Sequence, residues 1–297
     1  MLNIKETQST NTIYISGILQ EMDIDTKESA KGDTFATGTI KVRVDQDVNG
    51  KKEENTITVS MIANKNKKDG SANANYARIL GYKDSFTSLA AADRPEQASR
   101  VTILGNIEEN IWIDQSKNEV RNTFRIRTNF VNKAKEKDEE KSTFELSGVV
   151  GKLIPEYDKD GNETGRLVVK FLVVQYGGRL DTIDLIADGS AKAHIESNWN
   201  IGDTVKVTGI VNVKSKVVTW KEPQGFGEPI ERQRTESVRE LLVTGGSAGG
   251  LEDAFSYDAD EIKAAADERL KRIEELKNKP RTTVNSSAKA APANFGF

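Results

Sequence analysis

The chain has 297 residues, enough for two compact domains and a tail; 36% of them are hydrophobic and 30% are charged. It contains no cysteine and one histidine, His194, which excludes disulfides, cysteine zinc sites, iron–sulfur clusters and multi-histidine metal sites. Because the formal net charge is −3, any surface that binds nucleic acid must be a local patch. No apolar run is long enough to span a membrane, and the N-terminus lacks the apolar segment of a signal peptide, so we expect a cytoplasmic protein without membrane contact.

The first half of the chain predicts five strands and one helix. Polar and apolar residues alternate over the strands, as half-buried strands require. The strands are expected at 12–19, 37–44, 56–62, 100–106 and within 111–130, and the helix over 76–92. Ser16 and Gly17 fall in the middle of the first strand, where a glycine permits a bulge or a sharp bend.

The second half repeats this order. Ser147 and Gly148 fall in its first strand, as Ser16 and Gly17 do in the first copy. The strands are expected at 144–150, 164–171, 182–187, 204–211 and within 217–243, and the helix over 190–199. Turn residues at 200–203 precede the fourth strand. A long loop over 221–233 is expected between the fourth and fifth strands.

The repeated order indicates an internal duplication. Three strands, a helix and two strands make the element order of the OB-fold, a five-stranded Greek-key barrel. This order and the glycines of the first and fourth strands resemble the OB domains of single-stranded DNA-binding proteins, particularly the tandem-barrel versions carried by bacterial viruses. The resemblance covers residues 11–245 and implies DNA binding in replication, recombination or repair of bacteriophage DNA in the host cytoplasm.

The fold class predicted is mainly β, with two tandem OB-like barrels, a C-terminal helix and a disordered tail. The predicted divisions are a first barrel at 1–132, a charged linker at 133–142, a second barrel at 143–245, a flexible linker at 246–257, an amphipathic helix at 258–279 and a tail at 280–297. Asp258 is expected to cap the helix, and Glu261 to complete a capping box. The apolar stripe of the helix is Ile262, Ala266, Leu270, Ile273 and Leu276. This stripe fits either packing on a barrel or pairing with a second copy.

The tail ends in Phe295, Gly296 and Phe297. The single-stranded DNA-binding proteins that this chain resembles end in a flexible tail whose acidic, Phe-terminated tip docks replication partners. The resemblance implies that Phe295 and Phe297 bind partner proteins of replication or recombination. The acidic residues of this chain lie upstream, within 252–275, and a tail without function is the alternative interpretation.

Strand alternation places cationic side chains on outward faces. In the strand that closes the first copy, Phe124 and Ile126 share the inward face, so the arginines between them point outward and suit a phosphate backbone. Tryptophans near these strands, and Phe226 between two glycines in the 221–233 loop, offer stacking surfaces for bases. The candidate nucleic-acid-binding residues are Lys41, Arg43, Trp112, Arg121, Arg125, Arg127, Lys170, Tyr176, Arg179, Lys214, Lys216, Trp220 and Phe226.

Other interpretations of the same residues stay open. Outward arginines are also typical of solvated charges or of cross-strand partners of Glu and Asp, and tryptophans of the rim or core of a barrel. For catalysis, the sequence holds no G-x-S-x-G elbow, H-E-x-x-H helix or Walker A loop. The run 158–162 resembles the start of a calcium loop, but Val169 stands where the bidentate Glu belongs, which favours a turn. We therefore expect no enzyme activity, cofactor or metal.

The predicted function is non-enzymatic binding of single-stranded DNA by the two OB-folds. The main alternative is a protein-interaction or assembly module in which the barrels bind a protein partner, which the acidic net charge favours. RNA binding is a further alternative, because the sequence does not separate RNA from single-stranded DNA.

Overall fold

The structure is a computed structural model, which describes residues 1–114, 119–158, 160–224, 226 and 228–278. Within these residues, eleven strands form one continuous sheet that closes twice into a barrel. The predicted class, mainly β with two tandem OB-like barrels and a C-terminal helix, is confirmed. The predicted tail, 280–297, lies outside the described residues.

Barrel 1 contains six strands and one α-helix. They are β1 (Asn11–Glu28), β2 (Thr34–Val48), β3 (Lys51–Asn64), α1 (Ala74–Ser85), β4 (Arg100–Asp114), β5 (Glu119–Arg127) and the short edge strand β6 (Val131–Lys133). The barrel closes in the order β1, β2, β3, β5, β4 and back to β1, with β3 and β5 parallel. Helix α1 is shorter than the predicted 76–92, because the chain after Ser85 leaves the helix and bonds back to β1 through Leu89.

Barrel 2 repeats this plan. Its elements are β7 (Lys141–Tyr157), β8 (Glu163–Val174), β9 (Leu180–Ala187), α2 (Gly189–Asn198), β10 (Thr204–Glu222) and β11 (Ile230–Gly246). The barrel closes in the order β7, β8, β9, β11, β10 and back to β7, again with one parallel pair, β9 and β11. The last two strands cover part of the predicted 221–233 loop, which leaves 223–229 between them.

The glycines of the two Ser-Gly pairs, Gly17 and Gly148, lie where the backbone of a neighbouring strand approaches closely. A Cβ on Gly17 would collide with the carbonyl oxygen of Arg43 on β2. A Cβ on Gly148 would collide with the carbonyl oxygen of Leu172 on β8, at the corresponding place in barrel 2. The register shifts of β1 and β7 lie further along each strand, so these glycines permit close approach rather than a bulge.

The first strands of the two barrels pair with each other. Strands β1 and β7 pair antiparallel from Asn11 opposite Leu146 to Ser16 opposite Lys141. The buried side chains of both barrels therefore belong to one continuous hydrophobic cluster. The stretch between the barrels, 134–140, is a short loop, and the division into domains stays a prediction.

The β2–β3 hairpin of barrel 1 reaches onto barrel 2. Its turn residues Asn49 and Gly50 have φ of 54° and 77°, as a two-residue type I′ turn requires. Beside the turn, Val48 is 6% exposed and packs against Ile186 and Leu242 of barrel 2. The tip of the hairpin is thus an apolar contact between the barrels.

Helix α3 (Ala259–Asn278) begins on barrel 2. The carboxylate of Asp258 accepts hydrogen bonds from the backbone N–H of Asp260 and Glu261, which confirms the predicted cap. The Glu261 carboxylate accepts from the N–H of Ile4 at 3.0 Å, so it binds the N-terminal segment and the predicted capping box is wrong. In the predicted stripe, Ile262 is buried but Leu270 is 54% exposed, so only part of the apolar stripe packs on the barrels.

The middle of α3 ties the two barrels together. Arg269 forms a bidentate ion pair with Glu109 of β4. The side chain of Glu109 is 3% exposed. Arg272 donates a hydrogen bond to the carbonyl oxygen of Leu180 on β9 at 3.0 Å. The segment before the helix, predicted as a flexible linker, is bonded to β10, for example from the Leu251 N–H to the Thr204 carbonyl at 2.8 Å.

Candidate nucleic-acid interface

The β4–β5 hairpin carries the predicted outward cations of barrel 1. Its register sets Arg121 opposite Trp112, Arg125 opposite Glu108 and Arg127 opposite Asn106. Residues directly opposite one another share a side of the sheet. Trp112, Arg121, Arg125 and Arg127 therefore lie on one side of the hairpin, which we call the arginine face. Trp112 lies on β4, which is longer than the predicted 100–106, and is 44% exposed.

Each arginine of the arginine face has a carboxylate partner. Arg125 Nη2 lies 3.1 Å from Oε2 of Glu108, and Arg127 Nε lies 2.8 Å from the same oxygen. Arg121 Nη2 lies 3.0 Å from the carboxylate of Glu119. The three arginine side chains keep 27% to 44% of their surface exposed. One carboxylate thus stands between two guanidinium groups on an open surface.

The other predicted cations are also ion-paired. Their amino or guanidinium nitrogens lie close to carboxylate oxygens, as the cross-strand interpretation anticipates. The pairs are Lys41 with Glu21 at 2.6 Å, Arg43 with Glu54 at 3.9 Å, Lys170 with Asp184 at 2.7 Å, Arg179 with Asp181 at 3.2 Å and Lys214 with Glu53 at 2.6 Å. Lys216 lies on β10, and its side chain is outside what the structure describes.

The predicted aromatic residues of barrel 2 lie at its periphery. Tyr176, in the turn between β8 and β9, is 91% exposed, and Phe226 is 92% exposed. Trp220 on β10 is 43% exposed and lies opposite Arg232. The structure does not bring these side chains onto the arginine face. The glycines beside Phe226, and the two predicted tail phenylalanines, Phe295 and Phe297, lie outside the described residues.

The strand registers match the two barrels residue by residue. Ser60 lies beside Arg127 where β3 runs parallel to β5, and Ile186 lies beside Leu242 where β9 runs parallel to β11. Arg127 in barrel 1 therefore corresponds to Leu242 in barrel 2. By the same registers, polar Asn106 in barrel 1 takes the place that Ile210 takes in barrel 2.

In barrel 2, this outer surface is closed by barrel 1. Ile186, Leu242 and Ile210 pack around Val48 at the tip of the β2–β3 hairpin. Polar contacts flank this apolar one. The Gln46 amide donates to the Val211 carbonyl at 2.8 Å, the Val213 N–H donates to the Asn55 amide oxygen at 2.8 Å, and Lys214 pairs with Glu53. In barrel 1, the corresponding side chains face an open groove.

The cleft between the barrels is rich in carboxylates. It has a volume of about 290 Å³ and is lined by Glu156, Asp184 and Glu240, among others. Arg166 donates hydrogen bonds to Glu156 and Glu240, and it holds the pKa of the Glu156 carboxyl below its usual value. Arg239 lies over the Phe124 ring at 4.7 Å. The cleft is therefore a less favourable surface for a phosphate than the arginine face.

An apolar patch that the sequence pattern did not predict lies beside the arginine face. Ile62, Leu104 and Phe130 are 43%, 56% and 51% exposed and line the same groove as Arg127. Arg78 of α1 lies over the Phe130 ring, 4.6 Å from its centroid. The signal in the sequence was a break in alternation, because Leu104 is apolar at an outward position of β4.

Three features of the described residues bear on the sequence-based alternatives of a metal site, a calcium loop and a histidine-based site. Among the described residues, no group of three or more His, Asp or Glu side chains is arranged to hold a metal ion. The Asp158 carboxylate accepts hydrogen bonds from the N–H groups of Asp160 and Asn162, which makes the run 158–162 a turn. His194 lies on α2, and its ring has two contacts at 3.4 Å, to Ser247 and Asn198.

Comparisons with known proteins agree with this architecture. The sequence matches the family model described as YorF over residues 9–279. No curated protein sequence gives a significant match. A deletion mutant of the single-stranded DNA binding protein from Thermus aquaticus is similar in structure, with a TM-score of 0.50 and 13% identity over 85% of this chain and 98% of that chain. The wild-type protein from the same organism has a TM-score of 0.49 and 13% identity, over 84% and 98%.

At this identity, the likeness to the first of these structures shows the fold alone. Within the described residues, no helix is long and apolar enough to cross a membrane.

Proposed function

The chain belongs to the YorF family, and we propose that it binds single-stranded DNA without catalysing a reaction, with the arginine face as the main contact surface. The observation that carries the proposal is that the arginine face is open. In barrel 2, Ile186, Ile210 and Leu242 take the places of Ser60, Asn106 and Arg127, and the β2–β3 hairpin covers them. The OB-like fold supports the proposal, because strand faces and loops of this fold bind oligonucleotides.

Binding exchanges one anion for another. A phosphate takes the place of the Glu108 carboxylate between Arg125 and Arg127, and both guanidinium groups donate to its oxygens. A base stacks on Trp112, which contributes about 1–3 kcal/mol for any base. Contacts of this kind read the backbone and the ring faces of the bases, so we expect weak sequence preference.

In this proposal, barrel 2 serves mainly as a structural support for barrel 1. It holds the β2–β3 hairpin, and with it the orientation of barrel 1. We propose that its own contribution to the ligand comes from Trp220 and Phe226 at the end of the β10–β11 hairpin. Single strands are exposed during DNA replication, recombination and repair, so the protein would act in one of these processes.

A protein partner is the second candidate ligand. It is favoured by the ion pairs that neutralise the predicted strand cations, since a neutral, partly apolar surface suits a protein better than a polyanion. The predicted docking of replication or recombination proteins by Phe295 and Phe297 stays a prediction.

The test is fluorescence anisotropy of a labelled oligo-dT in increasing salt, with duplex DNA and RNA as competitors. We expect binding that weakens with salt, because each phosphate contact on a single strand contributes about 0.7 to the slope of log affinity against log salt. Arg125→Ala should lower this slope by about 0.7. Trp112→Ala should weaken binding by about 1–3 kcal/mol.

The matched control is Lys192→Ala. Lys192 is an ion-paired cation on α2 of barrel 2, whereas the arginine face belongs to barrel 1. This variant should therefore bind like the wild type. An equal loss in Arg125→Ala and Lys192→Ala would mean a diffuse charge effect rather than a site. No binding to oligo-dT at micromolar protein and low salt would refute the proposed function.

A further inference from the structure

The groove beside the arginine face continues along barrel 1. It has a volume of about 340 Å³ and contains the apolar patch of Ile62, Leu104 and Phe130. These large apolar side chains are exposed in barrel 1, whereas the β2–β3 hairpin covers the apolar surface of barrel 2 around Leu242. An aromatic ring with a guanidinium above it, as in Phe130 with Arg78, is a surface on which a base can stack.

Phe130 is held firmly in place. The Tyr82 hydroxyl donates to the carbonyl of Asn129 at 2.8 Å and accepts from the N–H of Val131 at 2.9 Å, so both neighbours of Phe130 are anchored to α1. Burial raises the pKa of the Tyr82 phenol above its ordinary value. The N–H of Phe130 itself donates to the Thr128 hydroxyl at 2.9 Å. A fixed ring loses little conformational entropy when a ligand stacks on it.

Beyond the apolar patch, a second groove of about 460 Å³ is lined by three lysines and one carboxylate, Asp33. Lys65, Lys67 and Lys68 lie in the loop between β3 and α1, which we call the lysine loop. All three are exposed, and in the described part of the chain their ammonium groups form no ion pair. The predicted cations on the strands, in contrast, are ion-paired. The neighbouring Asp69 carboxylate is bonded to Ser71, and this lowers its pKa.

The lysine loop has a defined backbone. The Lys67 N–H donates to the Ser71 carbonyl at 2.7 Å, and the Asn73 N–H donates to the Lys65 carbonyl at 2.9 Å. Lys65 is further bonded to the first residue of β2 through its N–H and the Thr34 carbonyl at 2.9 Å. The three ammonium groups therefore project from a folded loop that is joined to the barrel.

The arginine face, the apolar patch and the lysine loop lie along one line. Strand β5 carries Arg121 to Arg127, and β3 runs parallel beside it, with Ser60 next to Arg127 and Asn64 at its end. Six residues along β5 and four along β3, at about 3.3 Å each, give a track of about 33 Å. This is the length of about ten stacked nucleotides at 3.4 Å each, and OB-folds cover about 4–16 nucleotides.

We propose that a single DNA strand bound at the arginine face continues across the apolar patch, where one base stacks on Phe130, and ends with its phosphates on Lys65, Lys67 and Lys68. This inference rests on the proposed function. It adds the path of the DNA strand and the kind of cation that contacts each end of it. Ion-paired arginines hold one end of the strand, and unpaired lysines hold the other.

The experiment compares oligo-dT of about 6 and about 12 nucleotides, both within the range that one OB-fold covers. The variant is Lys65→Gln, Lys67→Gln and Lys68→Gln combined. We expect it to bind the short oligonucleotide like the wild type, and to lose affinity for the long one with a salt slope lower by about 2, from about 0.7 for each of three contacts. The matched control changes Lys133, Lys135 and Lys137 to Gln, which removes the same charge from another exposed segment.

Each remaining outcome is decisive. Unchanged binding of the long oligonucleotide by the lysine-loop variant would refute the path, and so would an equal loss for both lengths. Phe130→Ala should weaken the long oligonucleotide by about 5- to 150-fold, the range expected for loss of one stacked base. If it unfolds, Phe130→Leu keeps the volume, removes the ring and should weaken binding to a similar degree. Wild-type protein that binds neither length would refute the proposed function itself.

Discussion

Glu108 occupies the position that the proposed function assigns to a phosphate. It lies 3.1 Å from Arg125 and 2.8 Å from Arg127, on a surface open to solvent. Replacing it with glutamine keeps the size of the side chain and removes the charge. We therefore expect Glu108→Gln to raise the affinity for single-stranded DNA, since both guanidinium groups become available and one repulsive carboxylate is gone.

The size of the gain follows from the geometry. The displaced Glu108 carboxylate stays tethered to the same surface, and we take its distance from the bound phosphate as about 6 Å, the sum of two ion-pair contacts of about 3 Å. At an effective dielectric of about 20 to 80, they repel by about 2.8 to 0.7 kcal/mol. Affinity should rise by about 3- to 100-fold at low salt, and the gain should shrink as salt increases. The side chains of Glu108 and Arg127 are only 22% and 27% exposed, so the loss of these ion pairs should lower the stability of the fold by about 1–3 kcal/mol.

Anisotropy with oligo-dT at about 50 and about 200 mM salt measures this effect. Glu163→Gln is the control, because Glu163 pairs with Lys192 on barrel 2 and its replacement changes the net charge by the same amount. Equal gains in both variants would attribute the effect to overall charge. A loss of affinity in Glu108→Gln, with the fold intact by circular dichroism, would refute competition between Glu108 and the ligand and would show that Glu108 positions the arginines.

Two further predictions concern the fold. Glu109→Ala should lower the free energy of unfolding by about 3–5 kcal/mol, because it leaves the Arg269 charge largely buried without a partner, and the double variant with Arg269→Met should recover most of the loss in urea unfolding. At alkaline pH, the raised pKa of Tyr82 means that the unfolded state ionises first, so its contribution is complete below about pH 10 and is lost as the pH rises further. Tyr82→Phe should therefore make the stability of the fold less sensitive to pH above 10; an unchanged pH dependence would exclude Tyr82 as its source.

Much of the fold follows from local sequence pattern. Alternation fixed which residues of β5 point inward, because Phe124 and Ile126 are buried where the pattern places them. The Ser-Gly pairs located the first strand of each barrel, although their physical reason is contact between backbones. The docking of the β2–β3 hairpin was not predictable in the same way. It depends on Val48 meeting Ile186, two residues far apart in the chain whose apolar character alone does not indicate their contact.

The candidate site also has a part that the sequence pattern predicted and a part that it did not. The pattern placed Arg125 and Arg127 on one outward face, but the strand register decides that Glu108 lies between them. Alternation alone does not give that register. The apolar patch was missed because Phe130 follows the end of β5, where the period of the strand no longer applies. The lysine loop was not predicted because its lysines lie in an irregular segment between β3 and α1, where no strand alternation indicates which side chains point outward.

The pairing of β1 with β7 has a symmetry that the rest of the chain lacks. Ile13 and Phe144 occupy the same place in their barrels and lie directly opposite each other, as equivalent residues do across the two-fold axis of a symmetric dimer. In a dimer of identical barrels, one sequence would have to serve both as the hairpin that docks and as the surface that receives it. Within a single polypeptide the two copies are free to differ. Here one copy has the hairpin with Val48 and the other has the apolar surface that accepts it, so the corresponding surface of the first copy remains free for a ligand.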